Sequence, residues 1–137
     1  MVKSELINTR ARAKQLLAFD GMQYGKCKPT DIDVSIDFQQ KCFVFVELKG
    51  GNQRLTQGQK IHLMGLVDAI VAGGREAYAI LANHDTMDTS HDVHVAEATA
   101  VSVYSGSGSW EEINVKKSVD TVIQEIYASY RLSRGQC

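Results

Sequence analysis

Two neighbouring stretches in the first third of the chain carry the clearest pattern of apolar and polar positions. In residues 30–38 apolar residues alternate with polar ones, which is the period of a strand with one buried face. Residues 42–49 are also rich in Val and Phe. Between them, residues 39–41 suit a three-residue hairpin loop, although they lack the glycine that such loops favour. We therefore expect an antiparallel hairpin.

The alternation also predicts the register of this hairpin. If Phe38 lies opposite Cys42, one face is wholly apolar, and a slip by one residue would turn the acids toward the core. The predicted pairs are Phe38–Cys42, Ile36–Val44, Val34–Val46 and Ile32–Leu48 on the apolar face, and Asp37–Phe43, Ser35–Phe45, Asp33–Glu47 and Asp31–Lys49 on the other. Opposed carboxylates repel each other unless a positive charge offsets them. Lys49 and a divalent cation are the candidates for that charge.

The elements around the hairpin suggest a mixed α/β fold. A first helix is expected to begin at Ser4 and to end near Gly21, followed by a short strand within residues 22–28. The capping-box pattern of residues 56–59 predicts a helix that is apolar around much of its girth and therefore well buried. The apolar residues 77–82 predict an interior strand, parallel to one hairpin strand because the helix forms a crossover.

The last third of the chain predicts a second hairpin and a helix. Residues 93–104 alternate as a long strand, residues 105–109 form the tip, and residues 110–115 return as the partner strand. A helix capped by Ser118 has a clean apolar stripe, which either docks on the core or forms a dimer seam. Its apolar positions are Val119, Val122, Ile123, Ile126, Tyr127 and Tyr130.

Composition and charge fit one globular domain and exclude several classes of protein. The chain has 137 residues, of which 44% are hydrophobic and 23% charged. A net charge of −1 does not indicate a nucleic-acid-binding protein, so such binding would need a local basic patch. No apolar run is long enough for a membrane helix, and the first residues do not form a signal peptide. Three widely spaced cysteines favour a reducing cytosol.

The polar loop of residues 83–92, together with His94, contains three histidines and three aspartates. This composition suggests a zinc site as one interpretation. If Val93 begins a strand, however, His91 and His94 point to opposite faces, which defeats a shared pair of ligands. A solvated loop is the better interpretation.

The acidic hairpin resembles the PD-(D/E)XK nuclease superfamily. The matching residues are Pro29-Thr30-Asp31-Ile32-Asp33, followed by Glu47-Leu48-Lys49. The resemblance implies a restriction-endonuclease-like α-β-β-β-α-β core over about residues 4–82, with a mixed central sheet flanked by helices. Residues 83–137 would add a C-terminal β-hairpin and helix to the same domain, 1–137. The chain is also similar in general character to small phage- or prophage-encoded and Holliday-junction-resolvase-like nucleases.

The resemblance further implies a Mg²⁺- or Mn²⁺-dependent endonuclease that hydrolyses DNA. Asp33, Glu47 and the Leu48 carbonyl would hold the metal, and Lys49 would orient water or neutralise charge on the phosphate. Because Thr30 interrupts the Pro-Asp pair, Asp31 is closer to the motif in sequence, but the pairing favours Asp33 as the first acid. Asp31 is then an accessory acid.

Further residues are candidates for supporting roles. Gln59 either closes the capping box or reaches the metal site, as does the helix-borne glutamine found in several branches of the superfamily. Glu5 matches the acid that others carry on the first helix. Arg54 is the phosphate contact expected in a mobile loop, while Arg10 and Lys14 either contact phosphate or lie on a solvated helix face.

Two alternatives remain beside the nuclease hypothesis. One is a non-catalytic nucleic-acid- or protein-binding module on the same fold, which the near-neutral charge favours slightly. The other is a homodimeric nuclease that resolves four-way junctions. DNA is the expected partner in the main hypothesis, with no membrane association. The expected location is the cytoplasm, or the host cytoplasm if the protein is phage-encoded.

Overall fold

The structure is a computed structural model that describes residues 18–51, 53, 56–86, 88 and 90–134. It divides into two compact units, residues 1–31 and 32–137. In the first unit the expected strand of residues 22–28 is reduced to one isolated bridge between Tyr24 and Cys27. The prediction of a full strand is wrong because the chain turns at Gly25, whose φ is 65°. The helix expected from Ser4 lies, as far as residue 17, outside the described residues.

The second unit is a mixed α/β arrangement, as predicted. Its described elements are, in order, β1 (Val34–Phe38), β2 (Cys42–Gly50), α1 (Gln57–Ala72), β3 (Glu76–His84), a 3-10 turn (Val95–Glu97), β4 (Thr99–Tyr104), β5 (Glu111–Glu112) and α2 (Val119–Arg134). The five strands form one sheet in the order β1-β2-β3-β4-β5. Only β2 and β3 run parallel, and α1 connects them as the expected crossover. Neither described helix is long and apolar enough to cross a membrane.

The first hairpin has the predicted register over five pairs, from Phe38–Cys42 to Val34–Val46. The predicted continuation to Asp33–Glu47, Ile32–Leu48 and Asp31–Lys49 is wrong for the described ladder, which ends at Val34. The chain bends at Asp33, whose side chain accepts a hydrogen bond from the Leu48 backbone N–H. As a result, Ile32 packs into the apolar cluster on the α1 side of the sheet.

The turn of this hairpin has an unusual backbone. Gln39 and Gln40 adopt φ values of 58° and 60°, a region that non-glycine residues enter at a cost. The Lys41 N–H donates to the Phe38 carbonyl at 3.1 Å, and the Tyr130 hydroxyl donates to Gln39 Oε1 at 2.7 Å. The side chain of Gln39 therefore attaches the turn to α2. Gln40 has the same costly positive φ, but the bond to α2 belongs to Gln39.

Replacing Gln40 with Gly is expected to stabilise the protein. Glycine adopts positive φ without the Cβ clash, so we expect the free energy of unfolding to rise by about 1 kcal/mol. Chemical denaturation measures this change. The matched control is Gln124→Gly, at an exposed position inside α2, where glycine should instead destabilise by about 1 kcal/mol. A lower free energy of unfolding in Gln40→Gly would contradict the assignment of backbone strain to Gln40.

The core lies on both faces of the sheet. On one face α2 buries its apolar stripe, as predicted, through Val119, Val122, Ile126 and Tyr130. On the other face α1 packs mainly through Leu63 and Val67, which are 2% and 0% exposed. The prediction that α1 is well buried is therefore wrong. The helix covers the sheet with one side only, leaving Ile61 58% exposed.

The predicted second hairpin is shorter than its sequence pattern suggested. The long strand expected over residues 93–104 is divided into the 3-10 turn and β4, and the return strand of residues 110–115 pairs only through β5. A register irregularity at Leu81/Ala82, where β3 pairs with β4, explains the broken alternation. Ala100 packs in the cluster on the α2 side, whereas Tyr104 packs on the α1 side.

The stability of the fold should decrease at alkaline pH partly because of Tyr78. Burial raises the pKa of Tyr78 to about 12, and the charge of Glu76, whose Oε1 accepts the Tyr78 hydroxyl at 3.2 Å, adds to the effect. In the unfolded chain the pKa of Tyr78 is near the ordinary value of 10.0, so its contribution to stability is complete below about pH 10 and is lost as the pH rises toward 12. Denaturation of wild type and Tyr78→Phe at pH values on both sides of 10 tests this. Equal alkaline losses in the two proteins would contradict it.

Candidate functional site

The candidate site lies where the first hairpin ends and α1 begins. Asp33 directly precedes β1, while Glu47 and Lys49 belong to the carboxyl-terminal half of β2. Side chains alternate along a strand, so Glu47 follows Phe43 and Phe45 on the sheet face that α1 covers. The apolar alternation that buries this strand therefore places the carboxylate beside the helix, at 5% exposure.

Two hydrogen bonds attach Asp33 to β2. The Asp33 backbone N–H donates to Glu47 Oε1 at 3.2 Å, and the Leu48 N–H donates to Asp33 Oδ2 at 2.7 Å. Each carboxylate thus accepts a main-chain N–H from the neighbouring segment. Asp33 therefore lies next to Glu47 and Leu48 at the end of the ladder, but not in the directly opposed strand pair that the sequence predicted.

Gln59 closes the capping box, and its side chain also lies beside Glu47. Its side-chain Oε1 accepts the Thr56 N–H at 3.1 Å, and its own N–H donates to Thr56 Oγ1 at 3.1 Å, which completes the capping box. Its Nε2 lies 3.5 Å from Glu47 Oε2, at the outer limit of a hydrogen bond. Because the cap occupies the amide oxygen, the amide nitrogen is the atom that faces Glu47.

A cleft of about 370 Å³ opens beside this pair of acids. Glu47 and Lys49 of β2 line it together with Lys60, from the first turns of α1. A row of paired positions crosses the sheet beneath it, namely Glu47–Leu81, Leu81–Ser102 and Ser102–Glu112. Glu47 and Glu112 therefore lie at the two ends of this row, and Lys49 of β2 and Lys60 of α1 line the same cleft.

Several residues that line this cleft were missed by the sequence analysis, among them Lys60, Asn83 and Ser102. Lys60 follows Gln59 directly, so its place beside the site was available from the helix prediction. Asn83 and Ser102 depend on the pairing of β3 with its neighbours, and Ser102, only 2% exposed, depends on the register irregularity in β3–β4. No local sequence pattern gives that irregularity.

The other predicted residues are exposed or lie outside the described part of the chain. Asp31 is exposed and belongs to the first unit. Asp37 is exposed near the turn, as expected, where it accepts the Gln40 N–H. Glu5, Arg10, Lys14 and Arg54 lie outside the described residues.

The loop that suggested zinc uses its polar groups locally. His91 pairs with Asp88 at 3.1 Å, and hydrogen bonds from Ser90 lower the pKa of Asp88. His84 Nδ1 accepts the Thr86 N–H at 3.2 Å. Among the residues that the structure describes, no three His, Cys, Asp or Glu side chains are grouped to hold a metal ion. This is consistent with the solvated-loop interpretation.

The donor atoms at Asp33 and Glu47 fit a small hard cation. Two carboxylates and a backbone carbonyl at Leu48 are oxygen ligands, and Mg²⁺ commonly binds one or two protein carboxylates while keeping several waters. A third acidic or imidazole ligand is therefore not required for this ion. The pair that the hydrogen bonds hold together has the chemistry of such a site.

The chain matches no family model, no curated protein and no solved structure. The resemblance to PD-(D/E)XK nucleases therefore depends on the residues themselves and on their arrangement in this fold.

Proposed function

We propose that this protein is a PD-(D/E)XK-type endonuclease that uses Mg²⁺ or Mn²⁺ to hydrolyse phosphodiester bonds in DNA. The observation that supports this most is the pair of hydrogen bonds that attaches Asp33 to Glu47 and Leu48 at the end of a buried strand, with Lys49 two residues after Glu47. Burying the Glu47 carboxylate to 5% exposure costs desolvation free energy even when it is hydrogen-bonded, and a nuclease site gives a functional reason to keep it there.

The topology adds support to the proposal. An antiparallel hairpin is followed by a crossover helix and a strand parallel to β2, an order that resembles the β-β-α-β portion of the superfamily's core. In open α/β sheets, ligands commonly bind beyond the carboxyl ends of the strands. Glu47 and Lys49 belong to that end of β2, beside the cleft.

Each residue of the site has a separate role in the proposed hydrolysis. Asp33, Glu47 and the Leu48 carbonyl would hold the ion, which when bound supplies Lewis-acid stabilisation of the phosphate and lowers the pKa of water. Lys49 stabilises the negative charge that develops on the phosphate. Gln59 positions Glu47 through its amide nitrogen, and Lys60 attracts the phosphate backbone from α1.

A panel of DNA substrates tests this function. Supercoiled plasmid, linear duplex, single strand and four-way junction are incubated with purified protein in Mg²⁺, Mn²⁺ or chelator. We expect cleavage only with metal, and its loss in Glu47→Ala and Lys49→Ala. Cleavage that persists undiminished in these variants would identify a contaminant, and salt-sensitive binding without cleavage would favour the non-catalytic module. Preference for the junction by a protein of dimeric mass would favour the resolvase.

A further inference from the structure

A second cleft, of about 420 Å³, lies beside the first on the same sheet. Asn83 lines both clefts, and its neighbours across the sheet are Lys49 on β2 and Thr99 on β4. Lys49 lines the first cleft and Thr99 the second. Adjacent strands are about 5 Å apart, so the two clefts are close enough for consecutive units of one chain-like ligand.

The lining of the second cleft mixes donors and acceptors of hydrogen bonds. Lys116 brings a positive charge, His84 and His94 bring imidazoles, and Asp85 and Glu97 bring carboxylates. His84 Nδ1 accepts the Thr86 N–H, so the neutral ring carries its proton on Nε2 and offers a donor there.

This mixture suits a nucleotide better than a metal ion or an isolated phosphate. A metal ion alone would leave the positive charge of Lys116 unopposed by any ligand group, whereas a nucleotide carries a phosphate that pairs with it. A phosphate alone would be repelled by Asp85 and Glu97, whereas the edge of a base presents N–H groups to carboxylates as well as acceptors to donors. The volume also falls in the range of about 300–1,000 Å³ that is typical of small-molecule sites.

We propose that the second cleft is a subsite for one unpaired nucleotide, adjacent to the phosphodiester that is attacked at Asp33 and Glu47. Lys116 binds its phosphate, and the carboxylates of Asp85 and Glu97 accept hydrogen bonds from the base edge. This inference rests on the proposed nuclease function and specifies its substrate class. Because pairing occupies the edge of a base in a duplex, the strand at this site is single-stranded or frayed.

Fluorescence anisotropy in chelator, which separates binding from cleavage, tests the subsite. The probes are a labelled deoxycytidine oligonucleotide, whose N4 amino groups can donate to carboxylates, an abasic strand of equal length and a blunt duplex. We expect the wild-type protein to bind the deoxycytidine strand most tightly. Lys116→Ala should weaken that complex by about tenfold while changing duplex binding less than twofold. Lys116 is exposed, so this variant should fold, which circular dichroism verifies.

Lys41→Ala is the matched control, because it removes an exposed lysine just before the other end of β2. It should change neither complex. Equal binding of the abasic and deoxycytidine strands would overturn the subsite, and so would an equal loss of single-strand and duplex binding in Lys116→Ala.

The panel of cleavage substrates separates this proposal from the proposed function. Metal-dependent cleavage with no effect of Lys116→Ala on single-strand binding would refute the subsite and keep the nuclease. Selective loss of single-strand binding in Lys116→Ala, in a protein that cleaves nothing with either metal, would support the nucleotide subsite and refute the nuclease.

Discussion

Glu47→Gln is expected to reduce metal-dependent cleavage of DNA by about a thousandfold, on the scale of removing one preorganised electrostatic group from an active site. The substitution keeps the size of the side chain and one carbonyl oxygen, which can still accept the Asp33 N–H. It removes the negative charge that a cation needs. Because Gln59 has its oxygen in the capping box, its amide nitrogen would face the new amide and cannot restore a carboxylate.

Two measurements distinguish this effect from a folding defect. Mg²⁺ should raise the Tm of the wild-type protein because a ligand that binds the native state stabilises it, and this rise should disappear in Glu47→Gln. The matched control is Asp37→Asn, which removes an exposed carboxylate from β1 and keeps an acceptor for the Gln40 N–H. Asp37→Asn should cleave like the wild type. A Glu47→Gln protein that retains both the Tm rise and cleavage would contradict the assignment of Glu47.

The first hairpin was predictable from sequence because two constraints agree there. A period of two specifies which side chains face the core, and burial of one face forbids a slip by one residue. The five observed pairs follow from this. The end of the ladder at Asp33 was not predictable from this pattern. It arises because the Asp33 side chain, rather than a main-chain carbonyl, accepts the Leu48 N–H.

Other errors arose where tertiary contacts outweighed the local pattern. Because α1 is apolar around much of its girth, the sequence predicted that it is well buried. A helix on one face of a sheet contacts the sheet along one side only, which leaves Ile61 exposed. The expected strand of residues 93–104 loses its first half to a 3-10 turn, and Ser102 becomes part of the cleft lining through pairing with Leu81. Such positions require the register of β3 and β4, which the sequence does not determine.

Lys49→Met is expected to lower kcat by about a hundredfold or more while leaving metal binding intact. Methionine preserves an unbranched apolar stem in a partly buried position and removes only the ammonium group. Since Lys49 acts on charge that develops during the reaction, its loss should appear in kcat more than in KM. The Mg²⁺-dependent rise in Tm should persist, because the two carboxylates remain.

Lys60→Met is the comparison variant for Lys49→Met. Lys60 lines the same cleft but belongs to α1 rather than to the acidic hairpin, so it should contribute to attraction of the polyanion before the reaction. We expect its loss to raise KM, mainly at low salt, with kcat nearly unchanged. Steady-state kinetics at two salt concentrations separate the two lysines. If both variants change KM alone, Lys49 contributes only to electrostatic binding of the substrate. The chemical step then depends on Asp33 and Glu47 and not on Lys49.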